Sequence, residues 1–420
     1  MSGYQSPALS QPGLSVAEQK QERRSARRRR LVALGLVAPL LVFIFFSFVA
    51  PIASMLYRSV YNPDIVVLIP ETMANLSEWD RSGTPDDKAL TSMAMELRQM
   101  ALDRKAGVFA AAVNRSWPGA SSLVNSSARR LRSQEPDVLE KSGAQILLEL
   151  DKRWSQPDLW RAIRQVGLVY TDSYYLTALD LERNPDDEIQ ARSSARIYIQ
   201  LYGKTLALAL TITALCILLG YPLAYYLAHA PRKKASVLMI FVLLPFWTSL
   251  LVRTTAWIAL LQTNGVINSI LISVGFLSQP IEVLYTRYAT IIAMTHILLP
   301  FMILPLYSVM RSIDPAYVRA AMSLGSKPFA AFARVFLPLS LPGLGAGSLL
   351  VFIISVGYYI TPALVGGTDG QMISNLIAFH MQESNNWGLA AALGTLLLVL
   401  ILLLYWVYDK LVGASNIKLG

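Results

Sequence analysis

The chain of 420 residues contains a single cysteine and three histidines. One cysteine cannot form an internal disulfide, and so few thiols and imidazoles leave little room for a metal cluster or for thiol redox chemistry. Charge is scarce as well, because 15% of the residues are charged against about 25% in soluble domains. Hydrophobic residues make up 54% of the chain. These deficits argue against an ordinary cytosolic enzyme and favour a membrane protein.

Six stretches are long and apolar enough to cross a bilayer core, which takes roughly 20 residues of helix. They are almost free of charge: the exceptions are Arg253 in the third stretch and His296, a titratable residue, in the fourth. The sequence therefore predicts six transmembrane helices, at residues 31–56, 205–228, 235–261, 288–310, 339–364 and 387–408.

A run of arginines, residues 27–30, directly precedes the first predicted span. A signal peptide is an alternative, but its apolar region is usually about 7–15 residues long and this one is longer. A nucleic-acid patch is another alternative, but arginines before an apolar helix favour a cytoplasmic N-terminus. The same orientation places residues 229–236, 311–334 and 409–420 in the cytoplasm, and each piece is net positive. The net charge of +10 thus reflects topology, and no nucleic-acid partner is expected.

The predicted organisation has one unusually long external segment. Residues 57–196 hold 18 basic and 20 acidic residues, too many residues and charges for a simple loop. Helices are predicted at 86–114, 136–152 and 157–167 from apolar periodicity and early prolines. The remaining parts are a basic cytoplasmic tail (1–30), the first span (31–56), a core of five spans (197–412) with a cytoplasmic loop (312–338), and a cytoplasmic tail (413–420).

Tryptophans in this insertion have two interpretations. Exposed indole rings bind sugars or cations, whereas buried ones form cores and interfaces, and we expect the second. The four residues concerned are Trp79, Trp117, Trp154 and Trp160.

The cytoplasmic loop between the fourth and fifth spans predicts a helical hairpin. Asp314 is a suitable N-cap, and Pro315 occupies the first helical position, where its missing N–H costs nothing. Gly325 suits the left-handed conformation that ends a helix, and Ser326 is expected to cap a second short helix that runs to about Phe336. One interpretation is a hairpin that only covers the bundle. The other is a docking element, with Ala320 and Ala321 as a smooth patch that lets a partner approach.

The spacing in this loop resembles the EAA loop of membrane subunits of binding-protein-dependent ABC importers. That pattern is Glu-Ala-Ala, three residues, Gly, nine residues and Ile-x-Leu-Pro. Here Arg319, Ala320 and Ala321 are followed at the same spacings by Gly325 and by Leu337 and Pro338. Arg319 departs from the pattern, since the family usually has Glu there. The resemblance implies an ATPase-coupling loop whose partner carries a compensating acidic residue.

Three further segments, 219–228, 244–255 and 358–367, look like those of spermidine/putrescine-type permeases. The insertion resembles, more weakly, a long-insert subset of that group. The resemblance implies an all-α membrane protein of the type I ABC importer permease class, with a mainly helical external insertion between helices 1 and 2. It also implies a bacterial inner-membrane location with both termini cytoplasmic. The implied partners are a second permease subunit in a heterodimer, two ATP-binding subunits, a periplasmic solute-binding protein and membrane lipid.

One short segment of the chain looks like a nucleotide-binding motif but lacks a residue that the motif requires. Gly203, Lys204 and Thr205 suggest a P-loop, but the motif needs a glycine at position 198, which is tyrosine. The chain is therefore not expected to be an enzyme or to bind a cofactor, and ATP with its Mg²⁺ belongs on partner subunits.

Candidate pathway residues come from the cost of polar groups in hydrocarbon. Arg253 and His296 are hypotheses for solute contact, although snorkelling or interhelical hydrogen bonds are the structural alternatives. Prolines in spans two to five suggest helix breaks that expose backbone around a cavity. Aromatic rings there would contact an amine by cation–π interaction or merely pack. The other candidates are Trp247, Thr248, Tyr358, Tyr359 and Thr361.

The predicted function is an importer permease for a polyamine or another small cationic amine. The spans contain no carboxylate, so selectivity would come from the binding protein or the second permease. An opine-like, amino-acid or sugar-type solute is the alternative. A rival of another class is a membrane receptor or scaffold whose insertion senses a ligand without transport.

Overall fold

The computed structural model describes residues 32–412 except 62, 184–187 and 193–195. The predicted tails 1–30 and 413–420 lie outside the described residues. The chain divides into two compact units, residues 1–57 and 58–420. In its described part the first unit is a single helix, Val32–Arg58, which ends one residue past the boundary. A π-helical turn, Phe45–Val49, interrupts its regular geometry.

The insertion is a helical domain, as predicted, closed by a small antiparallel hairpin of two strands. Proline opens several of its helices at a position where no N–H is needed. The helices are Pro63–Val66, Pro70–Asn75, Asp87–Leu102, Ala106–Ser116, Ala120–Leu131, Pro136–Leu150, Pro157–Val166 and Ser173–Ala178, with a 3₁₀ turn at Lys152–Ser155 and strands Leu181–Arg183 and Ile189–Ala191.

The helix predicted at 157–167 is confirmed, and the one at 136–152 is found as Pro136–Leu150 with a kink at Ser142. The single helix predicted at 86–114 is wrong. Asp86 caps its first part through the N–H of Ala89 (3.0 Å), and Arg104 then adopts a positive φ of 58°, which breaks the helix in two. The helix Ala120–Leu131 was not predicted. Its polar, serine-rich sequence hides a narrow apolar stripe that only the packed structure reveals.

Two tryptophans occupy the centre of the insertion's hydrophobic core. Trp154 and Trp160 are fully buried, with ring centroids 5.8 Å apart. Each indole N–H is satisfied, by the hydroxyl of Ser127 (3.0 Å) and by the carbonyl of Trp154 (2.7 Å) respectively. Trp79 and Trp117 are partly buried against the same core. The packing interpretation of the tryptophans is therefore confirmed for Trp154 and Trp160.

Together with Val32–Arg58, five helices of the second unit are long and apolar enough to cross a membrane. The fourth span is the central one, since it packs along the second and the fifth. At one crossing Met302 lies between Gly220 and Gly347, and a Cβ at either glycine would come within 2.9 Å of the methionine side chain. These five spans are Tyr198–His229, Leu250–Ser273, Arg287–Ser312, Pro328–Gly357 and Trp387–Lys410.

The third span was predicted as one continuous helix over 235–261, and this prediction is wrong. The chain makes two helices there, Arg232–Trp247 and Leu250–Leu261, with Thr248 and Ser249 in extended conformation between them. The candidate span Leu250–Ser273 is itself interrupted at residues 262–265. A hydropathy pattern cannot detect so short a break, because the residues on both sides remain apolar.

The predicted fifth span, 339–364, is also displaced. The helix begins earlier, at Pro328, and ends at Gly357. Tyr358 and Tyr359 are non-helical, and the chain continues through three short helices before the sixth span. These are Ile360–Val365, Gly367–Gly370 and Ile373–Gln382.

Candidate functional site

The first arm of the 314–338 hairpin is built by a cap and a turn. The carboxylate of Asp314 accepts the N–H of Ala316 (2.8 Å), and Pro315 begins the helix Pro315–Ser323. Gly325 follows with φ +93°, and the N–H of Ser326 returns to the carbonyl of Ala321 (3.1 Å). This closure satisfies the last carbonyls of the helix. The predicted cap at Asp314 and left-handed turn at Gly325 are confirmed.

The second arm differs from the prediction. Its helix begins at Pro328 with Lys327 at the N-cap position, so the predicted cap at Ser326 is wrong. Proline forces the preceding residue into an extended conformation, and Lys327 has that conformation (φ −65°, ψ 150°). The arm passes through a π-helical turn, Phe332–Phe336, and Leu337 and Pro338 lie in the same continuous helix as the fifth span.

The outer surface of the hairpin combines apolar side chains with a cation. Leu324 is 89% exposed and Phe329 is 81% exposed, and Tyr317 is exposed beside them. Arg319 and Ala320 lie on the same helix and are also exposed. Large apolar side chains left in water on a charged surface are typical of a protein contact site.

The second span is contacted by a cation at the end of the fourth span and by a cluster of rings from the hairpin. Arg311, at the end of the fourth span, donates to the carbonyl of Ala228 (2.7 Å) in the last turn of the second span. The ring of Tyr225 meets Phe332 and Phe336 edge to face at 5.5 and 5.1 Å. The π-helical turn is therefore in direct contact with the second span.

Among the predicted pathway residues, Arg253 is engaged with its own span. Its guanidinium donates to the carbonyl of Thr248 (3.0 Å), to the Thr248 hydroxyl (3.3 Å) and to the carbonyl of Pro245. These carbonyls lie at the break between the two helices of the third predicted span. Arg253 therefore bonds backbone carbonyls, as one structural alternative held, but those of its own predicted span and not those of a neighbouring one.

Around this break, the helix Leu250–Leu261 that carries Arg253 contacts two further predicted residues, His296 and Thr361. Tyr358, three residues before Thr361, is half-buried. The hydroxyl of Thr361 lies 3.3 Å from that of Thr254 on the third span. Trp257, which the sequence reasoning missed, donates its indole N–H to Nδ1 of His296 (3.2 Å).

The other three predicted pathway residues have different surroundings. Trp247 is 72% exposed, and Thr248 is exposed at the break itself, with its hydroxyl bonded to Pro245. Tyr359 is 38% exposed, and its carbonyl accepts the side-chain amide of Asn375 (2.7 Å). Contact between these three side chains and a solute therefore stays a prediction.

A charge cluster that the sequence did not predict joins three elements at the opposite end of the bundle from the hairpin. Asp369 accepts from the guanidinium of Arg287 (3.0 Å) and lies 3.9 Å from the ammonium of Lys204. The backbone N–H of Arg287 also donates to it, and these contacts hold the pKa of Asp369 below its usual range. Gly366 and Gly370 beside it leave no room for a Cβ against the Thr290 hydroxyl.

A second unpredicted carboxylate, Asp180, lies at the same end. Asp180 is 4% exposed and adopts a positive φ of 56°. Its side chain accepts the backbone N–H groups of Ile197 (3.1 Å), Tyr198 (3.2 Å) and Ile199 (2.8 Å). An insertion residue thus caps the first turn of the second span.

Comparison with known proteins identifies the core. Residues 217–414 match the family described as binding-protein-dependent transport system inner membrane component. The spermidine/putrescine transport system permease protein PotB of Haemophilus influenzae is 39% identical over 214 residues, which are 51% of this chain and 75% of that protein. PotB of Escherichia coli K12 is 35% identical over 220 residues, covering 52% and 80%. The permease protein YdcU of the same strain is 32% identical over 230 residues, covering 51% and 71%.

Among solved structures, a bacterial alginate ABC transporter in complex with an alginate pentasaccharide-bound periplasmic protein aligns with 54% of this chain and 82% of its own, at 19% identity and a TM-score of 0.45.

The sequence relatives identify the family. The match to this chain covers 75% of PotB from Haemophilus influenzae and 80% of PotB from Escherichia coli, and these relatives are transport permeases, not enzymes. The chain therefore belongs to the inner membrane components of binding-protein-dependent transport systems, as a multi-pass ABC importer permease of the spermidine/putrescine type.

Proposed function

We propose that this chain couples ATP hydrolysis on partner subunits to the import of a small cationic solute, most simply a polyamine. The observation that carries the proposal is the 314–338 hairpin. It is a capped helix closed by a left-handed glycine, it exposes Leu324, Phe329 and Arg319, and its second arm continues into the fifth span.

The contacts of the hairpin suggest how the coupling works. An ATPase subunit that presses on the helix Pro315–Ser323 displaces Gly325 and the arm that begins at Pro328. Because this arm is one helix with the fifth span, the span must follow. The rings of Phe332 and Phe336 against Tyr225 carry the same displacement to the second span. Closure of two ATPase subunits, with ATP and Mg²⁺ bound to them, would thus rock both spans.

Orientation follows from charge. The end of the bundle with the hairpin also carries Arg232, Lys233 and Lys234, directly after the second span. Positive loops stay in the cytoplasm, which puts the hairpin, the N-terminus and the C-terminus inside and the insertion outside. A periplasmic solute-binding protein then docks on the insertion side, and a second permease subunit completes the pathway as a heterodimer.

The solute is inferred from the relatives named for spermidine and putrescine together with the site. Tyr358 and Tyr359 begin the non-helical segment after the fifth span, where rings can contact an ammonium group. Arg253 is itself a cation and would repel an amine, although its guanidinium is engaged with carbonyls. In the described spans the only carboxylate is Asp409, in the last turn of the sixth, so the binding protein would supply most of the selectivity. An opine-like, amino-acid or sugar-type solute is the alternative outcome.

The test is reconstitution of the chain with its second permease, the ATPase subunits and the binding protein in proteoliposomes. We expect a stable complex that imports a labelled polyamine only with ATP and binding protein present. If the ATPase subunits do not associate, the permease proposal fails and the receptor or scaffold alternative is favoured. If the complex forms but imports a sugar or amino acid in place of polyamines, only the solute assignment fails.

A further inference from the structure

The insertion has two parts with different surroundings. Most of it packs around its own core, which includes Trp154 and Trp160. Residues 172–183, which comprise its last helix, the turn after it and the first strand, pack elsewhere. We call this segment the junction. Gly167 packs tightly on Met73 just before it, and Gln165 donates to the hydroxyl of Ser173 (3.3 Å). The junction is therefore firmly attached to the helical domain.

The junction is also built into the permease core. Ala178 is fully buried in a hydrophobic cluster that contains Val356 of the fifth span and Leu393 of the sixth. The ring of Tyr174 lies so close to Gly388 that a Cβ there would be 2.4 Å from it. Such close-packed contacts transmit displacement rather than absorb it.

Asp180 is the polar element of the junction. Its carboxylate holds the N–H groups of Ile197, Tyr198 and Ile199, and its own carbonyl accepts the N–H of Arg192 (2.9 Å). The first N–H groups of a helix have no partner within the helix. A carboxylate bound to them is stabilised by the helix dipole and by charge-assisted hydrogen bonds. The start of the second span therefore has a fixed position relative to the insertion.

We propose that Asp180 is a positioning residue through which a binding protein seated on the insertion acts on the second span. The inference rests on the proposed function. The second span carries Tyr225 against the hairpin at its other end, so one continuous helix links the junction to the ATPase-coupling element. Asp180 orients the outer end of this helix and touches no solute.

The test compares Asp180→Asn with wild type in the reconstituted full complex. The amide keeps the size of the side chain and tolerates the positive φ, but it loses the charge and one acceptor. We expect the stimulation of ATP hydrolysis by loaded binding protein to fall by about fivefold or more, the usual lower bound of coupling between sites. Basal hydrolysis without binding protein is expected to stay unchanged. Equal stimulation in variant and wild type would overturn the proposal.

The matched control is Asp86→Asn, which makes the same loss of charge at a helix cap that lies wholly inside the insertion and should leave stimulation intact. Loss of stimulation in this control as well would assign the effect to general destabilisation and overturn the role of Asp180. If Asp180→Asn is not recovered in membranes, Gly388→Ala disturbs the same junction through Tyr174 and is judged by the same two readouts. A wild-type complex that never responds to binding protein would instead refute the proposed function, and this inference with it.

Discussion

Arg253 donates a hydrogen bond to the carbonyl of Thr248 across the break in the third predicted span, at 3.0 Å. In a continuous helix this carbonyl would accept an N–H from within the helix. The break therefore exposes polar backbone in an apolar environment, and the arginine of the same span supplies the missing donors. The position of Arg253 within a predicted span suggests a solute contact. In the structure its guanidinium instead supplies hydrogen bonds to backbone carbonyls of the same span.

We predict that Arg253→Leu lowers the free energy of unfolding by about 1–3 kcal/mol for each carbonyl left unsatisfied. Arg253→Lys should lose less, because its ammonium still reaches one acceptor. Thermal unfolding of the purified chain in detergent measures the effect. An unchanged melting temperature combined with lost import would contradict this structural role and place Arg253 in the solute pathway.

Gly325→Val should uncouple the transporter while the chain still reaches the membrane. The strain is conformational, since φ is +93° and a Cβ would meet nothing within 4 Å. A left-handed conformation costs a non-glycine residue roughly 1–2 kcal/mol, and a β-branched residue suffers more. Association with the ATPase subunit and polyamine import should both fall. Gly203→Ala, at a helical position with equal space, is the control and should behave as wild type.

Arg319→Glu restores the residue usual in the EAA pattern and should nevertheless weaken docking to the native ATPase subunit. Arg319 is exposed on the hairpin, so its partner is expected to carry a complementary acidic group. Reversing a charge at such a contact should reduce affinity by about tenfold, with a strong dependence on salt. Arg319→Lys should bind nearly as wild type. Equal affinity of the Glu variant would show that the hairpin docks through shape alone.

Glu96 predicts a pH dependence of the insertion. Its half-buried carboxylate accepts the N–H of Glu71 (2.8 Å) and hydrogen bonds from Thr72. Burial raises the pKa of Glu96, and these hydrogen bonds offset the rise only in part. The folded state then binds the proton more tightly than the unfolded chain, so stability falls as the pH rises from about 4.3 through the raised pKa.

The Glu96→Gln side chain cannot ionise, so this variant does not lose stability in this way. The difference in melting temperature between the variant and wild type should therefore shift in favour of the variant as the pH rises through this window. Melting curves between pH 4 and pH 8 on the full chain check the sign. Glu149→Gln, at an exposed position, is the control and should run parallel to wild type. A wild-type chain that becomes more stable relative to Glu96→Gln with rising pH would contradict the prediction.

Local signals in the sequence were sufficient for the first arm of the hairpin. Asp314, Pro315 and Gly325 act on backbone atoms within a few residues of themselves, so their roles follow from residue type and spacing. Ser326 failed as a cap because the adjacent Pro328 constrained Lys327 more strongly, a competition between two local rules.

By itself, the sequence determined that the chain is a membrane protein with six long apolar stretches, a helical insertion and a capped hairpin closed by a glycine, because hydropathy, capping and glycine conformation are properties of short stretches. Only the tertiary structure decided where the third span breaks, that Asp369 bridges Lys204 and Arg287, and that Asp180 caps the second span. The two carboxylates join residues that are 17 to 165 positions apart in the sequence. A carboxylate accepts hydrogen bonds from the donors that folding brings near it, and no local sequence pattern specifies which donors those are.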